Sequence, residues 1–174
     1  QEMGFTGREP PFFFMKPADA IVPVTHTFRE ELIQRGIAAD KIHVVLNGVD
    51  LQRYAPAARD EALSRQYDLD GRFVVGYLGT HGMAHGLEKV VDAAERLQHD
   101  PRIAFFFAGS GAERARVERL VAERGLSNVR MIPRQPKEMM PKLWSLCDIS
   151  LIPLRNNPVF SGVIPSKLFE GMGM

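Results

Sequence analysis

A glycine-rich stretch, GTHGMAHG at residues 79–86, carries the clearest chemical signal of the sequence. It follows an apolar run, FVVGYL, and precedes a run with apolar residues at helical spacing. A strand, a glycine turn and a helix in this order bring unpaired backbone N–H groups and the positive end of a helix dipole together. The stretch therefore predicts an anion site, with Gly79, Thr80, His81 and Gly82 among its contacts.

A second glycine turn, GSG at residues 109–111, follows the next apolar run. Neither turn matches a standard nucleotide motif. The first lacks the Lys-Ser/Thr ending of a P-loop, and the second lacks the third glycine of the dinucleotide fingerprint. The sequence therefore does not favour an ATPase or a dehydrogenase. Gly109 and Gly111 are assigned to the same predicted site as the first turn.

Two histidines of the first turn, His81 and His85, have the spacing of metal ligands on a helix. We do not favour zinc, because no cysteine lies near them and a loop is the wrong scaffold for that spacing. If protonated, His85 would face a phosphate; the alternative is a solvated loop histidine.

The composition is that of an ordinary globular chain, with 174 residues of which 45% are hydrophobic. The 22 basic and 21 acidic residues nearly cancel, which argues against a nucleic-acid partner. A single cysteine, Cys147, excludes an internal disulfide and fits a reducing compartment. No stretch approaches the roughly 20 apolar residues that cross a bilayer. Phenylalanines 12–14 are expected to pack within the protein, to contact missing parts or to touch a membrane surface.

Strands and helices alternate along the chain. Apolar runs between turn residues predict strands at 19–24, 41–46, 72–79, 103–108, 128–132 and 148–154. Helical spacing and cap residues predict helices at 25–36, 87–97, 112–125, 137–147 and 165–172. The expected N-caps are Thr27, in a capping box with Glu30, and Ser166. The expected apolar stripes are Phe28, Leu32 and Ile33 in the first helix and Leu87, Val90, Val91, Ala94 and Leu97 in the second.

This alternation predicts an α/β fold, a Rossmann-like doubly wound parallel sheet with helices on both faces. Ligands of such sheets bind beyond the carboxyl ends of the strands. The loops at 79–86, 109–111, 133–136 and 156–165 are therefore expected to line one rim.

The chain resembles the bacterial family 4 retaining glycosyltransferases over about residues 18–174. The resemblance rests on an ordered series of segments: VVLNGVDLQRYAP, VVGYLGTHGMAHGLEKVVDAA, FFFAGSGAERARVERLVAERGLSNVRMIP and LWSLCDISLIPL. A further segment, PVFSGVIPSKLFEGMGM, is similar to a subgroup that makes surface polysaccharides from nucleotide-activated amino or deoxy sugars.

The resemblance implies a GT-B fold, in which two Rossmann-like domains face each other across a cleft. Residues 1–57 would hold the tail of the acceptor-side domain and the linker. Residues 58–174 would hold an incomplete donor-binding domain, since the chain opens without Met and closes inside a predicted helix. Such a fragment is not expected to catalyse transfer alone.

The resemblance also assigns roles to single residues. Glu170 matches the acid that binds the ribose hydroxyls, and the backbone near Arg134 matches the base-binding edge. The family's partner acid falls at Gly162, so the segment that continues through Val163 and Ile164 departs from the pattern and offers N–H groups instead of a carboxylate.

The charged residues that the family places around the diphosphate fall at Thr80 and His85, and both are departures. Lys167 is expected to supply the missing charge, so His85 and Lys167 are the candidates for stabilising the leaving phosphate. The alternative for Lys167 and Glu170 is a purely structural role, as an i, i+3 ion pair on one helix. Trp144 is expected to belong to the core rather than to a base-stacking shelf.

The predicted function is that of a cytoplasmic glycosyltransferase fragment, active in the intact enzyme at or near the inner membrane face. It would bind a nucleotide-diphosphate sugar, usually a uridine one, for retaining transfer to a glycan or lipid-linked acceptor, with no bound metal. Two other classes stay open: a nucleotide-sugar epimerase on the same fold and a non-catalytic α/β interaction module.

Overall fold

The computed structural model describes residues 15–160 and 162–174, and phenylalanines 12–14 lie outside them. The described chain forms two compact units, residues 15–47 with 162–164 and residues 48–160 with 165–174. In the described part of the chain, every helix is too short or too polar to cross a membrane. The predicted domain boundary after residue 57 stays a prediction.

The first unit is small. It contains the helix α1 (His26–Gln34), and a short 3-10 turn follows at Ala39–Lys41. Leu32, Ile37 and Ile42 form its buried core.

The first unit corrects two predicted strands, at 19–24 and 41–46. They meet only in one parallel bridge, between Ile21 and Ile42. Backbone hydrogen bonds continue on either side, from Ile21 N to the Lys41 carbonyl at 2.7 Å and from Val45 N to the Pro23 carbonyl at 3.1 Å. Pro23 has no N–H to donate, so the ladder does not extend into regular strands.

The second unit contains all the strands of the described chain. They are β1 (Phe73–Leu78), β2 (Ile103–Ala108), β3 (Val129–Ile132) and β4 (Ile149–Ser150). Its helices are α2 (Glu61–Gln66), α3 (Glu88–Arg96), α4 (Arg114–Glu123), α5 (Met140–Trp144) and α6 (Ser166–Gly173). Short 3-10 turns occur at Met83–His85, Lys137–Met139 and Pro158–Phe160.

The sheet of the described residues has the order β3–β2–β1–β4, with every neighbouring pair parallel. Tyr77 of β1 is in register with Phe107 of β2. The chain crosses from β3 at one edge of the sheet to β4 at the other edge, beside β1, which is the arrangement expected of a doubly wound sheet. The predicted α/β class with a parallel sheet is confirmed.

Helices cover both faces of the sheet, as predicted. On one face, Phe105 and Phe107 pack with Val90 and Val91 of α3 and with Val117 of α4. On the other face, alternate residues of β1 and β2 pack with Leu143 and Trp144 of α5. These strand residues are Val74, Leu78, Ala104 and Phe106. The run AFFF of β2 is apolar throughout because both of its faces are buried.

The two glycine turns are interlocked at the carboxyl ends of β1 and β2. A Cβ placed on Gly109, whose φ is +155°, would lie 1.8 Å from the Gly79 carbonyl oxygen. A Cβ on Gly111 would lie 2.5 Å from the His81 carbonyl oxygen. The His81 N–H donates to the Ser110 carbonyl at 2.9 Å. Glycine is therefore needed at 109 and 111 because the first turn occupies the space of a side chain.

Two predicted helix starts are wrong. Thr25, not Thr27, is the N-cap of α1, and its hydroxyl accepts from the Phe28 N–H at 3.1 Å. Pro165, not Ser166, precedes α6, and no side chain caps that helix. A threonine two residues earlier competes for the first cap, and Pro165 has the extended conformation that an N-cap needs.

Three other details differ from the sequence predictions. The helical spacing places Leu97 and Phe28 on apolar stripes, but each is 37% exposed. Leu97 is already the C-cap of α3, where the helical periodicity ends. The last predicted strand is regular only over Ile149–Ser150, with Pro153 interrupting its continuation.

Candidate functional site

A pocket of about 770 Å³ lies at the carboxyl edge of the sheet in the second unit. Its walls are the ends of β1 and β2, the glycine turns after them, the loop after β3, the start of α6 and the segment at 48–54. From the predicted site residues it brings together Gly79, Thr80, Gly109, Arg134, Lys167 and Glu170. A pocket of this size and place is typical of ligand sites in open α/β sheets.

Basic side chains dominate the charge of this pocket. Arg53, Arg134 and Lys137 line it, and all three are exposed. Among the described residues, none of them forms an ion pair or a hydrogen bond through its side chain. The acidic side chains of the lining are Asp50 and Glu170. Three unpaired cations around one pocket favour an anionic ligand.

Lys167 lies at the bottom of the pocket, in the first turn of α6, and is only 8% exposed. Its ammonium donates to the Tyr77 hydroxyl at 2.9 Å. Lys167 also lies beside the glycine-rich turn at 79–86, because a Cβ on Gly79 would be 3.2 Å from the Lys167 Nζ. Burial lowers the pKa of Lys167 to about 8, against a smaller opposing effect of Glu170. In the described chain, Lys167 and Glu170 form no ion pair, so the alternative interpretation of these residues as an i, i+3 pair is wrong.

Glu170 lies one helical turn further along α6. The Trp144 indole N–H donates to its carboxylate at 3.2 Å. Tyr54 lies near the same carboxylate, and the pKa of its phenol is raised first by burial and then by the charge of Glu170. Trp144 is 3% exposed, so it belongs to the core as predicted and also fixes the orientation of the acid.

Four predicted residues of the second unit lie outside the lining of the pocket: His81, Gly82, His85 and Gly111. His81 is fully buried and stacks on Tyr77 with ring centroids 5.6 Å apart. Burial lowers the pKa of His81 to about 4, so its ring is neutral near pH 7. The His85 Nδ1 lies 3.2 Å from the Pro153 carbonyl, and burial with the nearby Lys167 lowers its pKa too. A phosphate contact by His85 stays a prediction.

Three predicted sugar contacts, Gly162, Val163 and Ile164, belong to the first unit. There the Asn47 side-chain amide donates to the Ile164 carbonyl at 3.2 Å. Gly162 lies against Thr27, since a Cβ on it would be 2.7 Å from the Thr27 Cγ2. Their contact with a donor sugar stays a prediction.

Metal binding finds no support in side-chain placement. Over residues 15–160 and 162–174, no three His, Cys, Asp or Glu side chains are grouped so that they could hold an ion. The expectation that the reaction needs no metal stays a prediction.

Comparisons with known protein families identify this chain. The family model described as "Glycosyl transferases group 1" matches residues 59–174. This chain belongs to the group 1 glycosyl transferases. A second model, described as "Glycosyltransferase Family 4", matches residues 9–53.

Relatives among curated proteins support this membership. WcaI of Escherichia coli (strain K12), whose name refers to a glycosyl transferase of colanic acid biosynthesis, is 31% identical over 86% of this chain. A protein of Mycobacterium tuberculosis (strain CDC 1551 / Oshkosh) named GDP-mannose-dependent alpha-mannosyltransferase is 37% identical over 56% of this chain. The matches span 37% and 24% of those two relatives, so this chain corresponds to part of a typical group 1 glycosyl transferase.

A solved structure supports the fold. The crystal structure of HepE from Anabaena in complex with UDP-glucose superposes with a TM-score of 0.75 at 19% identity. The superposition covers 90% of this chain and 43% of HepE. The predicted Rossmann-like fold of the GT-B glycosyltransferases is thus confirmed as a fold class.

One wall of the pocket is missed by the sequence analysis. No site residue is predicted in the segment at 48–54 of this group 1 glycosyl transferase, yet Gly48, Asp50, Arg53 and Tyr54 line the pocket. A signal was present, because the segment mixes an acid, a base and an aromatic residue directly after a glycine turn. No periodicity links it to the rim loops.

Proposed function

We propose that this chain is the donor-binding part of a retaining glycosyltransferase, and that its pocket holds a uridine diphosphate sugar. One observation carries the proposal. Lys167, Glu170 and the first residues of both glycine turns line the same pocket, together with three unpaired basic side chains. A diphosphate needs positive charge and N–H donors, and a ribose needs an acceptor for its hydroxyls.

The chemistry of transfer matches these residue types. When the sugar–phosphate bond breaks, negative charge grows on the departing diphosphate and positive charge on the sugar ring. Fixed cations and N–H groups beside the diphosphate stabilise that charge electrostatically, with no proton transfer required. Lys167 lies beside the Gly79 turn and is the best-placed cation for this role.

The remaining parts of the proposal concern the whole enzyme. We propose a glycan or lipid-linked acceptor, a cytoplasmic location with peripheral contact to the inner membrane face, and no metal. We propose that the transferred sugar is an amino or deoxy sugar. The isolated chain is proposed to bind donor without transferring it, since the acceptor-side domain would contribute groups near the sugar.

Uridine is the base that we propose, and guanosine is its main competitor. HepE was crystallised with UDP-glucose, whereas one relative is named for its dependence on GDP-mannose. A titration with UDP and GDP in parallel separates these two possibilities.

Isothermal titration calorimetry with UDP tests the proposed function. We expect the chain to bind UDP, and Glu170→Ala to weaken binding about 10- to 100-fold. The variant leaves two ribose hydroxyls without their charged acceptor, a loss of about 1.5–3 kcal/mol. Glu123→Ala, at an exposed acid at the end of α4, is the matched control and should bind as the wild type does.

Two results would contradict the proposal. An absence of UDP and GDP binding would favour an interaction module. Equal UDP affinity in the wild type and Glu170→Ala would remove the ribose assignment. An epimerase of the same fold would also bind UDP, and only product analysis with the intact protein separates it from a transferase.

A further inference from the structure

Tyr77 is a buried polar residue near the carboxyl end of its strand. It belongs to β1, is fully buried and lies among the rings of His81, His85 and Phe107. Its hydroxyl donates to the Thr80 carbonyl. A phenol has a single proton to donate, so its oxygen is the acceptor for the Lys167 ammonium at 2.9 Å.

The aromatic ring of Tyr77 makes a second contact with the Lys167 ammonium. The Lys167 Nζ lies 4.0 Å from the Tyr77 ring centroid, which is a cation–π distance. A lysine side chain is flexible, so a fixed position for its charge requires partners on the protein. Tyr77 supplies two such contacts, while the hydroxyl ties them to the backbone of the first turn.

A Lys or Arg charge beside the glycine-rich turn at 79–86 has to come from another part of the chain. Residues 79–86 contain no Lys and no Arg. The ammonium of Lys167 is the cation next to Gly79, although it comes from a residue 90 positions from Tyr77.

We propose that Tyr77 is a positioning residue, which holds the Lys167 ammonium at the Gly79–Thr80 turn so that its charge faces the diphosphate of the donor. This inference rests on the proposed function, because it needs a diphosphate at that turn. Tyr77 itself is buried and acts through Lys167.

Other charged groups also face Lys167. Glu170 attracts its ammonium from the same helix, while the buried ring of His81 and the half-buried ring of His85 would oppose it if they were protonated. Burial lowers the pKa of both histidines, to about 4 for His81, so Glu170 and Tyr77 are the groups that favour the charged form of Lys167.

A double-mutant cycle with UDP and UMP tests the inference. Tyr77→Phe keeps the ring and loses the hydroxyl, so we expect UDP affinity to fall about 3- to 10-fold at pH 7 and UMP affinity to stay within about twofold. In a Lys167→Met background, Tyr77→Phe should change UDP affinity by less than about twofold. An equal loss in both backgrounds would overturn the inference, since Tyr77 would then act on the turn and not through Lys167.

A second measurement needs no nucleotide. In protein labelled with 13C at lysine Cε, an NMR titration gives the pKa of Lys167 directly. Tyr77→Phe should lower that pKa, because the hydroxyl accepts a hydrogen bond from the charged form. An unchanged Lys167 pKa would overturn the inference. If wild-type protein binds no UDP, the proposed function fails; if it binds UDP without coupling between Tyr77 and Lys167, only the inference fails.

Discussion

Lys167→Met is expected to weaken UDP binding about 10- to 100-fold at pH 7. The variant keeps most of the apolar length of the side chain and removes the charge that lies beside the Gly79 turn. A hydrogen bond to a charged group contributes about 1.5–3 kcal/mol, and each 1.4 kcal/mol is about tenfold in affinity. Calorimetry with UDP and UMP measures the effect, which should be larger for the diphosphate.

The pH dependence of binding gives the same prediction a second readout. Burial lowers the pKa of Lys167 to about 8, so the ammonium is charged at pH 7 and mostly neutral at pH 9. Wild-type affinity for UDP should therefore fall between pH 7 and pH 9, by up to about tenfold. Lys167→Met should show no such fall. Lys142→Met, at an exposed lysine of α5, should follow the wild type. A wild-type affinity that is level over this range would contradict the role of Lys167.

Gly109→Ala is expected to lower the free energy of unfolding by more than about 3 kcal/mol. The new Cβ would lie 1.8 Å from the Gly79 carbonyl oxygen, which is backbone and has no rotamer to change. One of the two turns must move, and the hydrogen bond from the Gly79 N–H to the Ala108 carbonyl at 2.8 Å moves with it. Urea denaturation followed by circular dichroism measures the loss.

Gly125→Ala separates the clash from the backbone conformation. Gly125 also has a positive φ, of 62°, but a Cβ there meets no atom within 4 Å. Its substitution should cost only about 1–2 kcal/mol, the penalty of a left-handed residue. If Gly109→Ala costs no more than Gly125→Ala, the two turns are not interlocked as described.

Much of the fold could be predicted because local patterns and tertiary packing agree there. The AFFF run of β2 is apolar at every position, which requires a strand buried on both faces. Val90, Val91 and Ala94 give α3 one apolar face, and that face is buried. The predictions failed where a single residue decides the outcome, as at Pro23 in the short bridge and at Thr25 in the first cap.

The candidate site could be predicted only in part. The rim rule for parallel sheets places Gly79, Gly109 and Arg134 at one edge, and the pocket contains all three. That rule does not predict hydrogen bonds between residues far apart in sequence, such as the one from Lys167 to Tyr77 or the one from Trp144 to Glu170. Those contacts depend on how α6 packs, which no local pattern encodes.

Amide NMR shifts during a UDP titration test the central claim most directly, because they report where the nucleotide binds. We predict the largest shifts at the Gly79, Thr80 and Ser110 amides and in the first turn of α6. A second, smaller pocket of about 280 Å³ lies near Cys147 and Met174 and serves as an internal control. Largest shifts at that pocket, or no shifts at saturating UDP, would contradict a diphosphate site at the carboxyl edge of the sheet.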